Sequence, residues 1–569
     1  MPDLTAWLTD PHPGRGVHLA VDDGAWQFVS YPELALEARR AGAALVDAGV
    51  RPGDVICLLM PTGLPYLAAF FGAWVAGATP CPVAPPAFQA RSEYQTHVAN
   101  VLRKAAPTLV VASEEYTSLI GPAMAEAGRS DQPWTYRTGT EEIAPRTPGD
   151  IGLLQFTSGS TGSPRGVRAS WDNLRANIAM ILDEVGWRDG DGTASWLPLH
   201  HDMGLIGCLL GTTTAQGNLW LMQPEQFIRR PLQWLACFEP GKACHTATPA
   251  FGYAHIVRRV APTALAALDL SQWRTALVGA ESIDPAILAS FARLARPAGF
   301  TSRVYQPAYG LAEATLAVAL RRSYSRGRLL RPDPDSLRFG AEVRVTGSAW
   351  LGAARLAARD GWLVGHGLPG PEHGVRVLVL DENGAALPAG CLGEIAVTGP
   401  TVTAGYHGGQ DSGTTRFLDG ELRTGDAGFL LDGDLFVLGR MGDSLKVNGR
   451  SVYVEDLDIR ASAATGLDRS RLAVVSTYDT GHGAGVVLFA ETKAVGAWAD
   501  AARAALGSQL GPECPIAIVA GPPGMIQRTS SGKPRRRRMW QLFQSGQLPK
   551  ASVVAEGDAA RPTDAVVTG

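Results

Sequence analysis

The chain has 569 residues, too many for one hydrophobic core, so at least two domains are expected. Hydrophobic residues make up 46% and charged residues 18%, which excludes a disordered chain, and a formal net charge of −3 gives no long-range pull toward nucleic acid or anionic membrane. The seven cysteines are odd in number and lack C-x-x-C spacing, so neither a disulfide framework nor a zinc site is expected, and Cys244-His245 reads as core.

The N-terminal MPDLTAWLTDPHPG has neither a basic n-region nor an apolar h-region. The most apolar run, Tyr66–Val83, is broken by Gly72, Gly77, Pro80 and Pro82 and reads as a buried helix followed by a strand. The protein is therefore expected to be soluble and cytoplasmic. A strand at Gln27–Ser30 precedes a helix at Pro32–Ala48, a buried strand at Asp54–Met60 and the apolar helix. A second unit follows, with a helix at His97–Ala106 and a strand at Thr108–Ala112. Such alternation implies an α/β fold with parallel sheets covered by helices. Residues 127–149, rich in Arg, Asp, Gly and Pro, read as a surface connection.

That connection leads into Leu154–Arg168, a short apolar strand entering a loop of glycines and hydroxyls. Gly159, Gly162 and Gly166 allow backbone N–H groups to converge, Thr157, Ser158, Ser160, Thr161 and Ser163 add donors, and Arg165 adds a fixed charge. A polyphosphate suits this cradle; on composition alone a flexible Gly/Ser loop is the alternative.

A helix at Trp171–Val185, a strand at Ala194–Leu197 ending in PLHHDMGL, and a glycine-interrupted apolar helix come next. Thr275–Val278 leads into GAE, Asp284 caps a helix to Ala295, and Val304–Tyr305 leads into QPAYGLAEATLAV. Residues 323–361 form an Arg- and Gly-rich insertion of weak periodicity, and Val375–Leu438 is β-rich. The domain plan is a large unit over 1–439, a small mobile α+β unit over 440–550, and an aperiodic tail over 551–569 expected to be disordered. GHGLPG at Gly365–Gly370 carries Pro369 where a dinucleotide turn would open a helix, and SSGKP lacks the first Walker glycine at Gln527.

Seven motifs occur in one order: TSGSTGSPRGV, LPLHHDMGLIG, VGAESI, YGLAEATL, RTGDAG, GRMGDSLKVNGR and RTSSGKPRRR. In that order they resemble the adenylate-forming enzymes, and HHDMGLIG with YGLAEATLAV is most similar to the fatty acyl-AMP ligases. The resemblance covers about residues 20 to 545. It implies a carboxylate attacking the α-phosphate of ATP to give acyl-AMP and pyrophosphate, and then a thiol taking the acyl group.

It further implies that Thr157, Ser158, Gly159, Ser160, Thr161 and Gly162, with Arg165, grip the β- and γ-phosphates. Glu313 matches the Mg²⁺-binding acid. Gly279, Ala280, Glu281, Tyr309, Gly310, Leu311 and Ala312 match the adenine and AMP wall. Asp426 matches the ribose-binding acid and Arg440 its companion. His201 matches the histidine near the carboxylate and α-phosphate, with His200 where the family often has an aromatic ring. Lys533 matches the lysine that crosses from the small domain.

Gly204, Gly207, Leu205, Phe251 and Leu316 are expected at an acyl pocket. The chain departs from the family at Arg165, where lysine is usual, and at the hinge, where Gly442 replaces Asp or Lys. Lys446 and Gly449 look more like the CoA-forming branch. The acceptor is accordingly read as a carrier-protein phosphopantetheine thiol, with CoA as alternative and a non-adenylating nucleotide binder as a third reading. The run Arg535–Arg538 is either a solvated basic helix start or a dock for an acidic carrier or CoA phosphates.

Overall fold

A computed structural model describes residues 2–569 except 23, 87–90, 138, 158–163, 324, 353–360, 410–413, 448–449, 477–484, 493–494, 512–513, 530–531, 550–552 and 556–569. Its largest sheet has eight strands, in the spatial order Ala317–Leu320, Tyr305–Gly310, Thr275–Val278, His245–Thr248, Gly192–Ser195, Asn218–Leu221, Gly16–Ala20 and Trp26–Ser30. Pairing is parallel through the centre and antiparallel only at the two edges. The central strands are buried and short, as expected where helices cover both faces.

A second, wholly parallel sheet orders Thr79–Pro82, Val55–Leu59, Leu109–Ala112 and Trp134–Thr135. Helix Tyr31–Asp47 is held at its start by a capping box between Ser30 and Glu33 and packs on helix Leu64–Val75. Gly42 and Gly72 meet there, so closely that a Cβ on Gly72 would stand 2.6 Å from that of Ala41. The apolar run is thus a core helix, all of its last ten residues buried. Among the described residues no helix is long and apolar enough to cross a membrane.

Two readings of the connections change. The stretch 127–149 read as a surface connection supplies the edge strand Trp134–Thr135, and ahead of it lies a helix not read from the sequence, Glu114–Glu126, whose Pro122 and few buried apolar positions hide the helical period. The Arg-rich insertion forms a three-stranded antiparallel sheet of Val345–Trp350, Arg328–Pro332 and Leu363–Val364. Its residues alternate weakly because the outer strand keeps both faces largely exposed.

The β-rich region is a five-stranded antiparallel sheet, Arg376–Leu380, Gly393–Thr398, Glu421–Leu431, Arg416–Leu418 and Asp434–Arg440. Beyond Met441 come the hairpin Ser444–Val447 and Arg450–Tyr453, three helices and a four-stranded sheet. The helices are Val454–Thr465, Ala497–Leu510 and Arg536–Gln544. Two apolar clusters built only from residues 445–548 fill the space between them. Val553–Ala555, inside the stretch read as tail, pairs antiparallel with Ile518–Ala520.

Candidate functional site

Strands Ile151–Thr157 and Arg165–Ser170 form the hairpin that carries the glycine-rich loop, with Thr157 opposite Arg165. Ser158, Gly159, Ser160, Thr161 and Gly162 lie outside the described residues. Where the loop re-enters the hairpin, the Lys104 ammonium donates to the Pro164 carbonyl at 2.8 Å. Arg165 is 7% exposed. Its Nη1 donates to the Tyr406 hydroxyl at 3.3 Å, and the guanidinium lies 5.4 Å from that ring's centre. Nε and Nη2 of Arg165 are buried without a partner among the described residues. A buried cation with two open donors calls for an anion.

The Tyr406 hydroxyl in turn donates to Glu313 Oε1 at 2.6 Å. Glu313 is buried in the turn Ala312–Ala314, and its carbonyl accepts from both the amide and the hydroxyl of Thr403 at 3.0 Å. Burial first, and then the Glu313 carboxylate, push the Tyr406 phenol up, so it remains a donor. Tyr406 is absent from the motif reading; the only sequence signal is a lone Gly-Tyr pair.

Four residues before Glu313, Tyr309 donates to Asp426 Oδ2 at 2.6 Å. Asp426 Oδ1 pairs with Arg440 Nε at 3.0 Å, across the register that sets those two residues opposite each other. Arg440 Nη1 also donates to the Thr424 carbonyl and the Thr415 hydroxyl, at 2.8 and 2.9 Å, so its fork is held on two sides. The Tyr309 phenol is pushed well up by burial and then by Asp426.

Gly279 and Ala280 follow the strand Thr275–Val278, and a Cβ on Gly279 would stand 2.6 Å from the Ala308 carbonyl. Ala280 takes φ +67°, a left-handed conformation costly for a non-glycine residue. Glu281 is occupied, its Oε1 accepting from the Phe251 amide at 3.0 Å. Gly310 has no room for a side chain against the Leu316 carbonyl, which accepts from the Leu311 amide at 2.9 Å. Ala312 packs with Val167 and Tyr406, tying this turn to the hairpin.

The turn PLHHDM is pinned by Tyr66, which donates to the Leu199 carbonyl, and by Gln155, which donates to that of His200, both at 3.0 Å. The rings of His200 and His201 are 4.8 Å apart. Burial, with His201 and His97 adding to it, holds His200 neutral and well below its ordinary range. From Met203 to Leu210 the chain winds as a π-helix, a form often found at functional sites.

Gly207 on this helix faces Leu316, 3.2 Å from a Cβ to Cδ2, so two of the expected pocket residues meet. Phe251 stands edge-on to Trp196, 6.4 Å between centroids. Gly204 is pressed instead against Leu197 and Pro198, and Leu205 is buried in the apolar cluster of the first two helices.

The small unit reaches this turn. Burial pushes the Asp202 carboxyl up, and the charge of Lys533 acts against that shift. Lys533 is exposed, on a tight turn in which its amide donates to the Thr529 hydroxyl at 3.1 Å. His97 is held down at about 4, by burial first and then by Arg535. Arg469 donates to the Ser282 carbonyl at 3.1 Å, and Arg258 pairs with Asp468. Gly442 sits in the turn Met441–Asp443 with its φ outside the left-handed range. The arginine run is divided in its use: Arg536 is bound to Glu455, Asp458 and the Val474 carbonyl, whereas Arg537 and Arg538 are exposed.

A parallel α/β core, with a hairpin whose Arg165 is joined through Tyr406 to the buried Glu313, is the arrangement of an adenylate-forming enzyme. Residues 12–407 match the AMP-binding enzyme family, and the chain belongs to that family. The long-chain-fatty-acid–AMP ligase FadD26 of Mycobacterium marinum is 31% identical over 593 residues, covering 96% of this chain and 97% of its own. FadD21 of Mycobacterium tuberculosis, which carries a provisional fatty-acid–CoA ligase name, is 32% identical over 94% of this chain and 97% of its own. A solved structure from work on the fatty acyl-adenylate ligases of E. coli and L. pneumophila superposes with a TM-score of 0.84 at 28% identity, covering 96% of this chain and 98% of that one. The enzyme activates a carboxylic acid as its acyl-AMP, consuming ATP.

Proposed function

We propose that the acid is a fatty or other hydrophobic one, and that the acyl group passes to the phosphopantetheine thiol of a carrier protein. The observation that carries the site assignment is the spacing of Tyr309 and Glu313. One strand and turn bear both the partner of Asp426 and the acid joined to Arg165 through Tyr406, four residues apart. A nucleoside triphosphate can span that interval, at most about 14 Å of extended chain, with its ribose at Asp426 and its phosphates at Glu313 and Arg165.

Glu313 suits Mg²⁺: it is a hard oxygen donor, and a lone protein carboxylate completed by substrate phosphates is the usual manner of holding this ion. Bound there, the ion would neutralise phosphate charge. An acid oxygen attacks the α-phosphorus, the bond to the β-phosphate oxygen breaks, and pyrophosphate leaves. Thr157, the loop 158–162 and Arg165 hold the leaving group. His201 and Lys533 lie on the side of the acid and the α-phosphate, where charge develops. Gly207, Leu316 and Phe251 line the way for the apolar chain.

We read residues 1–439 as the adenylating unit and 440–550 as the unit bearing Lys533, with Gly442 as pivot. Support comes from the separate apolar clusters of 445–548 and from the single turn that joins them to the β-rich sheet. The test is acid-dependent ATP–pyrophosphate exchange over a pool of fatty, aryl and polycyclic acids, followed by incubation with holo carrier protein or CoA. Exchange with apolar acids and thioester only on the carrier is expected. Thioester on CoA would establish the acceptor suggested by Lys446, Gly449 and the FadD21 name, and exchange only with small polar acids would overturn the substrate class.

A further inference from the structure

We infer that Tyr406 is a positioning residue whose hydroxyl joins Arg165 and Glu313 into one unit, so that the pyrophosphate grip and the metal-binding acid are set together. This rests on the roles proposed above for those two residues. The polarity of the link is forced. Arg165 has only donors and an ionised Glu313 has only acceptors, so the single hydroxyl must accept at 3.3 Å and donate at 2.6 Å. A one-directional chain of charge-assisted bonds in a buried site strengthens each of its members.

The link also uses what distinguishes this loop. A planar guanidinium can give Nη1 to Tyr406 and still keep Nε and Nη2, both unpartnered among the described residues, for two oxygens of an anion. A lysine would offer its three donors from a single nitrogen, without the planar spread of the guanidinium. The backbone around Tyr406 is held independently of the hydroxyl. Val167 and Tyr406 form an antiparallel bridge, the His407 amide donates to the Gly166 carbonyl at 2.7 Å, and the Arg168 amide donates to that of Gly405 at 3.2 Å. Tyr406→Phe should therefore fold, keep the ring under Arg165, and lose only the link.

The experiment is calorimetric titration of the full chain with inorganic pyrophosphate, in EDTA and then with magnesium, for wild type, Tyr406→Phe, Arg165→Lys and the double variant. In wild type each of the two ligands should strengthen binding of the other. Tyr406→Phe should weaken pyrophosphate about tenfold, as for loss of a hydrogen bond to a charged group, and abolish the effect of magnesium. The double variant should be no worse than the more affected single one. Wild-type titrations for Tyr406→Phe, or additive losses in the double variant, would overturn the inference. Glu313→Gln separates the two levels: if it leaves the magnesium effect intact, the metal role of Glu313 fails; if it abolishes the effect while Tyr406→Phe does not, only the link fails.

Discussion

Tyr309 donates its hydroxyl to Asp426 across 117 residues of sequence, and Asp426 is held from its other oxygen by Arg440. The carboxylate thus has a fixed orientation, with one oxygen held by Tyr309 and the other by Arg440, in the place proposed for the ribose. Such preorganisation reduces what binding must order.

Asp426→Asn should raise the KM for ATP by about ten- to a hundredfold, the loss of hydrogen bonds to a charged acceptor. A comparison with 2′,3′-dideoxy-ATP makes the test specific. Wild type should discriminate strongly against the dideoxy nucleotide and the variant hardly at all. Equal discrimination by both would remove Asp426 from the ribose site.

The charge of Lys533 opposes the upward shift that burial gives Asp202, the residue after His201 in the chain. Lys533→Ala should slow acyl-AMP formation by about 10²–10³, as for losing one preorganised donor, while thiol transfer from preformed acyl-AMP stays within a few-fold. Single-turnover assays started from acid plus ATP and from acyl-AMP separate the two. An equal loss in both would mean that the residue serves the fold of the small unit instead of the first half-reaction.

The motif residues were legible because each stands within a short run of fixed residue types, whether that run lies in a turn, as at Glu313, or inside a strand, as at Asp426. Tyr309, Glu313, Asp426 and Arg440 are of this kind, and the structure brings them together in two linked groups. Tyr406 was not legible, because its importance depends on contacts 241 and 93 residues away. From Gln27 to Ala112 the strand and helix order follows from hydrophobic period, although helix Arg91–Ala105 begins six residues earlier than its period shows and strand Gly16–Ala20 was not read. Helix Glu114–Glu126 was missed since Pro122 and surface exposure erase the period. Cys244 and His245 are both buried: His245 contacts Asp191 at 2.8 Å and Thr275 at 2.6 Å, and lies stacked against Trp187. Charge runs are the least readable class, and the arginines after Lys533 illustrate why.

Within that run, Arg536 is 10% exposed and bridges Glu455 and Asp458, binding the last helix to helix Val454–Thr465. Arg538 has no such partners among the described residues and is exposed. Arg536→Ala removes the cation paired with the buried Asp458 and should destabilise the small unit by about 3–5 kcal/mol, whereas Arg538→Ala should be near neutral. Chemical denaturation followed by the Trp498 and Trp540 fluorescence would show it. Equal midpoints for both variants would place Arg536 among the solvated charges.

His366, through its burial, should contribute to the loss of stability in acid. It is buried edge-on to Tyr309, 6.3 Å between centroids, with Nδ1 3.1 Å from the Leu435 carbonyl. Burial pulls it from 6.5 to about 4, against the opposing influence of that carbonyl and of Asp434. Because the folded value lies below the unfolded one, the unfolded chain takes up a proton first as pH falls. The contribution of His366 should therefore be full above pH 6.5, decline between 6.5 and 4, and level off below 4, a loss on the order of 3 kcal/mol. His97, held at about 4 by burial and Arg535, adds a parallel decline. His366→Gln keeps a donor for the Leu435 carbonyl and removes the titration, so its denaturation midpoint should fall less steeply over that window than that of wild type. Identical pH slopes would show that the acid loss arises elsewhere, in the carboxylates.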